Sequence, residues 1–163
     1  MKPDFRFLVS HPAHFVALGF GSGLAPAAPG TFGSLLGWAM FVWLAPRLPL
    51  WAWIALLLLG FAAGCWFCAR TGRDLGAADH GAMVWDEIIA MWLVLLCTPA
   101  GIVWQAFAFV LFRIFDIVKP PPIRLFEQRF KPAPWSGFGV MGDDLIAAFY
   151  ALLVMAVTVR WLR

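Results

Sequence analysis

Residues 51–70 read WAWIALLLLGFAAGCWFCAR, nineteen apolar or small residues closed by Arg70. An α-helix needs about 20 such residues to cross the hydrocarbon core of a bilayer, so 51–69 is the clearest membrane span and sets the class of the chain. Four more apolar segments fall out between punctuating residues. Residues 32–45 end at Pro46, and 86–98 start at Asp86 and stop at Thr98-Pro99. Residues 101–118 run to Lys119-Pro120, and 144–162 begin behind Gly142-Asp143 and reach Arg160. Proline lacks an N–H and clashes with the preceding turn, so it ends a helix. Only 51–69 and 144–162 are long enough to cross comfortably; the other three tilt, sit shallow or pair as a hairpin. No strand alternation competes and no repeat is visible. The expectation is an all-α membrane protein with about five apolar helices in one domain, residues 1–163.

Composition agrees. The chain is 63% hydrophobic, with a mean hydropathy of +0.83. Ten Trp and sixteen Phe against one Tyr suit lipid-facing and interfacial positions more than a water-soluble core. A net charge of +3 without a basic stripe argues against nucleic acid and fits an anionic membrane surface. Cys65 and Cys68 have CxxC spacing but lack the flanks of a redox or zinc motif, and with Cys97 they read as small buried packing residues. Lys2 and Arg6 precede an apolar patch, but His11, Pro12 and His14 break it, so the N-terminus reads as retained.

Between the apolar segments lie three polar stretches, residues 21–31, 70–85 and 119–142. If every segment crosses, all three fall on one side. That side holds nine of the twelve Lys and Arg, against Arg47, Arg160 and Arg163 on the other, which makes it cytoplasmic by the positive-inside rule. All nine acids fall there too.

Five of those acids sit at the ends of apolar segments: Asp86, Glu87, Asp116, Asp143 and Asp144. An ionised group is expensive to desolvate without a partner, so acids in such places point to function, here a divalent cation site. Hard oxygen ligands suit Mg²⁺ or Ca²⁺. The competing explanation is capping, since acids complement a helix N-terminus. Neighbouring residues on a helix point about 100° apart, so within Asp86-Glu87 and Asp143-Asp144 one member can face a metal while the other caps or binds from the side. Asp116 lies near a helix C-terminus, where a carboxylate opposes the dipole. Arg113 and Lys119 stand three residues either side of it. All three would share a face, either as an ion-pair ladder or with Asp116 on metal and the two cations on phosphate.

Residues 19–34 read GFGSGLAPAAPGTFGS and lead into a helix at Thr31 or Phe32. Free backbone N–H groups at a helix start bind anions, which makes Thr31 and Ser34 phosphate-binding candidates; an interfacial loop capped by Thr31 is the alternative. No Walker A ending is present. His80, in Asp79-His80-Gly81, is an acid/base candidate or a surface-loop histidine. There is no cysteine in a phosphate loop, no GxSxG elbow and no structural-zinc spacing.

The chain resembles the phosphatidylglycerophosphatase A family. The matching blocks are Gly19-Phe20-Gly21-Ser22-Gly23 with Pro29-Gly30-Thr31-Phe32-Gly33-Ser34, and Asp79-His80-Gly81 leading to Trp85-Asp86-Glu87-Ile88. They continue with Phe112-Arg113-Ile114-Phe115-Asp116-Ile117-Val118-Lys119-Pro120 and Gly139-Val140-Met141-Gly142-Asp143-Asp144. They occur in the family's order and cover most of residues 19–150. The resemblance implies an all-helical, Mg²⁺-dependent phosphatase of the bacterial inner membrane that converts phosphatidylglycerophosphate, a membrane phospholipid, to phosphatidylglycerol and phosphate. On that reading Asp86, Glu87, Asp116, Asp143 and Asp144 hold one or two Mg²⁺. Arg113, Lys119, Thr31 and Ser34 meet the phosphate, and attack is by water or by way of an aspartyl-phosphate. The alternative from the residues is a cation-coupled transporter or ion-binding membrane protein using the same acids as a pathway.

Overall fold

Local backbone chemistry sets the first elements of the structure, a computed structural model that describes residues 2–132 and 134–162. Asp4 caps α1 (Phe5–Ser10) by accepting the Phe7 N–H at 2.8 Å. The His11 ring accepts the Ala13 N–H at 3.0 Å and opens α2 (Pro12–Ala17), with Pro12 at its first position, where no N–H is needed. A 3₁₀ segment, Gly19–Leu24, follows with left-handed backbone at Gly19 and Phe20. Then come α3 (Pro29–Leu44), α4 (Leu50–Leu75), α5 (Trp85–Leu96), α6 (Ile102–Val118), α7 (Pro121–Phe130) and α8 (Ser136–Trp161). No strand occurs among the described residues.

All five expected segments are helical, but only α4 and α8, at 26 residues each, are long and apolar enough to cross a membrane. The helices α1, α2 and α7 add to the expected set. The stretch 70–85 is not all loop: α4 runs on to Leu75 and stops at Gly76, whose φ of +73° is the left-handed turn that closes a helix. The stretch 119–142 is not a loop either, since α7 and the first two turns of α8 lie within it. Nor does Thr31 cap α3, which starts at Pro29 behind a left-handed Ala28; the Thr31 N–H donates to the Ala28 carbonyl.

The core forms around α5, which is buried along most of its length between α3, α4, α6 and α8. Gly33 and Gly37, four apart on α3, let that helix ride directly on α5. A Cβ at Gly33 would lie 2.6 Å from the Val84 Cβ, and one at Gly37 3.1 Å from the Ile88 Cα. Trp92 donates its ring N–H to the buried Gly37 carbonyl at 3.0 Å, and Trp85 does the same to Gly60 of α4 at 2.9 Å. The polar end of each buried indole is thereby satisfied. Large apolar side chains such as Trp43, Trp51, Leu59 and Val103 remain exposed, a pattern foreign to a water-facing surface. The start of α3, the end of α4, the start of α5, the end of α6 and the first turns of α8 meet at one end of the bundle, and the acids meet there with them.

Candidate active site

Each acid reaches the site through its helix position. Asp86 and Glu87 occupy the first turn of α5, where the N-terminal dipole favours their charge, although neither caps the helix. Asp116 stands in the last turn of α6. Asp143 and Asp144 lie two turns inside α8, which begins at Ser136 and not beside them. Capping therefore does not explain these two. Both are almost fully buried, at 2% and 3% exposure.

The five acids form two adjoining groups. Oxygens of Asp86, Glu87 and Asp144 come within 4.8 Å of one another. In each of these residues one buried oxygen (Asp86 Oδ1, Glu87 Oε2, Asp144 Oδ2) has no hydrogen-bond partner among the described residues. Arg113 borders this group: its Nη1 is 2.7 Å from Asp116 and 3.8 Å from Glu87, and it donates to Ser34 Oγ at 3.2 Å. The Ser34 hydroxyl in turn donates to the Gly30 carbonyl at 2.9 Å. Four carboxylates thus face one guanidinium.

Asp143 turns the other way. It meets Lys119 Nζ at 2.7 Å and Lys131 Nζ at 2.8 Å. Glu127 of α7 meets Lys119 at 2.6 Å and also pairs with Lys131, which reaches Asp79 as well. Lys119 does not share the face of Arg113 and Asp116, because its backbone breaks out of the helix at φ +46°. Burial alone would raise the Glu127 pKa, but hydrogen bonds from Lys119 and Lys131 outweigh it and hold it at about 2. Burial likewise opposes the charge on Lys131, and the attraction of Asp143 overcomes it and raises its pKa. In this group three carboxylates meet two ammonium groups, so most of the charge is already balanced.

Sequence reasoning did not single out Asp79, Glu127 or Lys131 as site residues. The available signal was the i,i+4 spacing of Glu127 and Lys131 inside the polar stretch 119–142. Of the other candidates, Thr31 lies in the first turn of α3 with its hydroxyl unengaged among the described residues. His80 Nδ1 accepts the Ala82 N–H at 3.2 Å, which leaves the ring proton to Nε2, and the ring lines a pocket with Gly23, Pro26 and Pro29 that contains none of the five acids. Gly30, second residue of α3, brings that helix start against the acids: a Cβ there would lie 2.2 Å from Glu87 Oε1.

The family model of Phosphatidylglycerophosphatase A matches residues 15–159. This chain belongs to that family. It is 43% identical to Phosphatidylglycerophosphatase A of Haemophilus influenzae over 162 residues, covering 99% of this chain and 97% of that one. It is 43% identical to the Escherichia coli K12 protein of the same name over 143 residues, 87% and 80% of the two chains. A Bacteroides thetaiotaomicron protein provisionally named as a phosphatidylinositol-3-phosphatase is 40% identical over 153 residues, 90% and 92% of the two. No solved structure matches the chain. Membership makes the chain a phosphatase, as the resemblance implied, and sets it apart from an ion pathway.

Proposed function

We propose that this family member hydrolyses the terminal phosphomonoester of phosphatidylglycerophosphate, with Mg²⁺, at the cytoplasmic surface of the inner membrane. The observation that carries the reading is the trio of unpartnered buried oxygens on Asp86, Glu87 and Asp144. Like charges within 4.8 Å of one another repel by roughly 3 kcal/mol or more even at an effective dielectric near 20, so the group calls for a cation. Its all-oxygen donor set fits a hard divalent ion. Bound there, Mg²⁺ would neutralise phosphoryl oxygens and polarise the attacking water.

The chain's own residues supply the remainder. Arg113, held by Asp116 and Ser34, offers its guanidinium fork to the phosphoryl oxygens. The start of α3 adds the Gly30 backbone N–H, the Thr31 hydroxyl and the positive end of a helix dipole. Lys119 and Lys131 flank from the Asp143 side, already paired with carboxylates, and would meet the dianion by exchanging one of those partners for a phosphoryl oxygen. The nine-to-three distribution of Lys and Arg and the exposed apolar surface of α4 and α8 support the membrane face assigned.

The test is phosphate release by detergent-solubilised protein from phosphatidylglycerophosphate, with Mg²⁺ or with excess EDTA. Release that needs Mg²⁺ is expected. Release that survives excess chelator would refute the metal reading, and no release under any divalent metal by folded protein would refute the substrate.

A further inference from the structure

Beneath the acids, α4, α5 and α8 leave an apolar groove of about 280 Å³. Leu57, Leu58 and Phe61 line it from α4, Ile89 and Leu93 from α5, and Leu145 from α8. Two of these helices carry the metal-site candidates in the same register. Asp86, Ile89 and Leu93 follow one another at spacings of three and four, a single stripe of α5. At 1.5 Å rise per residue, Ile89 lies about 4.5 Å and Leu93 about 10.5 Å deeper than Asp86 along the axis. Leu145 follows Asp144 directly. Phe61 is the groove residue nearest the acid end of α4, next to Gly60, whose carbonyl accepts the ring N–H of Trp85 at the start of α5. The outer wall is open, with Leu58 67% exposed.

We infer that this groove seats the first methylenes of one acyl chain of the substrate lipid, so that the enzyme recognises a diacyl phosphomonoester by its chain as well as its phosphate. The inference rests on the phosphatase reading above and deepens it. A groove that starts one turn below the acids and is walled only by hydrocarbon complements a ligand with a dianionic head and an apolar tail. Lipid tails are as apolar as the groove, so packing and shape set its preference, and a few methylenes held against its walls fix the depth and angle at which the phosphate is presented.

Leu57→Trp fills the groove from α4, far from every charged residue; Leu59→Trp, on the lipid-facing side of the same helix, is the control. Two substrates are compared: a diacyl lipid ending in a glycerol phosphomonoester, and its deacylated, water-soluble headgroup. Losing the packing of two or more methylenes should raise KM for the diacyl lipid about threefold in Leu57→Trp, with the headgroup rate and the Leu59→Trp variant unchanged. Equal effects on both substrates, or equal effects of both variants, would overturn the inference. Failure of the unaltered protein to act on either substrate would instead overturn the phosphatase reading itself.

Photolabelling of the unaltered protein gives a readout free of turnover and of variant folding. A phosphomonoester lipid bearing a diazirine near the start of one chain should label residues 54–61 and 89–93, and unlabelled phosphomonoester lipid should compete. Labelling displaced equally by a zwitterionic diacyl lipid would mean that bulk lipid fills the groove, and the inference would fall.

Discussion

Replacing Gly30 by alanine tests whether the start of α3 and the Glu87 carboxylate belong to one working site. The new Cβ would lie 2.2 Å from Glu87 Oε1 and 3.1 and 3.2 Å from the two terminal nitrogens of Arg113. Cβ atoms do not approach other atoms within 3.0 Å, so the carboxylate must retreat by about 0.8 Å or rotate away, and a displacement near 1 Å is worth about 100-fold in rate at a catalytic centre. Stability should move little. The groups in the way are ends of flexible side chains, and alanine is favoured over glycine inside a helix by up to about 1 kcal/mol. The expected outcome is a loss of kcat/KM near 100-fold, measured as Mg²⁺-dependent phosphate release, with the thermal midpoint in detergent unchanged or slightly raised. Gly81→Ala is the control, since a Cβ there meets open space, and it should keep both. Full activity in Gly30→Ala would refute the placement of α3 at the reacting phosphate, and a loss of activity matched by a lower midpoint would make the contact structural only.

Asp144→Asn should weaken divalent-metal binding about 100-fold or more, read by Mn²⁺ titration of the detergent-solubilised protein; an unchanged affinity removes Asp144 from the ligand set. Arg113→Lys keeps the charge but loses the fork that spans Asp116 and Ser34, so kcat should fall about 100-fold, and near-normal turnover would reject phosphate contact by the guanidinium. The Glu127 pKa is held at about 2 against an ordinary 4.5, so its stabilising charge is complete above pH 4.5 and is lost as pH falls toward 2. Glu127→Gln should therefore flatten the acid-side fall in thermal stability within that window, and an unaltered profile would show that the pairs with Lys119 and Lys131 contribute nothing. In ¹⁸O water, a single turnover with excess enzyme should place the label in phosphate; label left on the protein would instead establish a carboxylate intermediate.

The helical class was legible because 51–69 and 144–162 are uninterrupted apolar runs, and the first acid pair because Asp86 and Glu87 stand at a visible boundary. Residues 119–142 misled for a physical reason. Pro120, Pro121 and Pro122 look like a break, yet proline at the first helical position is pre-organised for α7. Gly137, Gly139 and Gly142 look like a loop, yet they let α8 press against its neighbours. A Cβ at Gly137 would meet the Cys65 carbonyl at 1.8 Å, and one at Gly142 the Phe126 ring at 2.5 Å. The aromatic cluster of Phe126, Phe130 and Phe138 then fastens α7 to α8. Lys131 and Asp79 are 52 residues apart, and no local pattern signals a pair that exists only once both segments have docked.

Two adjacent aspartates end up with separate partners, and a single property of the helix explains it. A step of one residue turns the side chain by about 100°, so Asp144 faces Asp86 and Glu87 of α5, while Asp143 faces Lys119 and Lys131. The first group has four acids against one Arg113 and retains buried oxygens without partners. The second sets three acids against two lysines and retains little net charge. A divalent cation therefore gains most beside Asp144, and a phosphate dianion beside Arg113 can draw on lysines whose positions Asp143 fixes. The neighbours should accordingly fail in different ways. Asp144→Asn should lose metal affinity first. Asp143→Asn should keep most of that affinity while leaving two part-buried ammonium groups short of a partner, at a stability cost of about 1–3 kcal/mol. Equal loss of Mn²⁺ affinity in both variants would show that the two aspartates act on a single ion, and the division into two groups would fail.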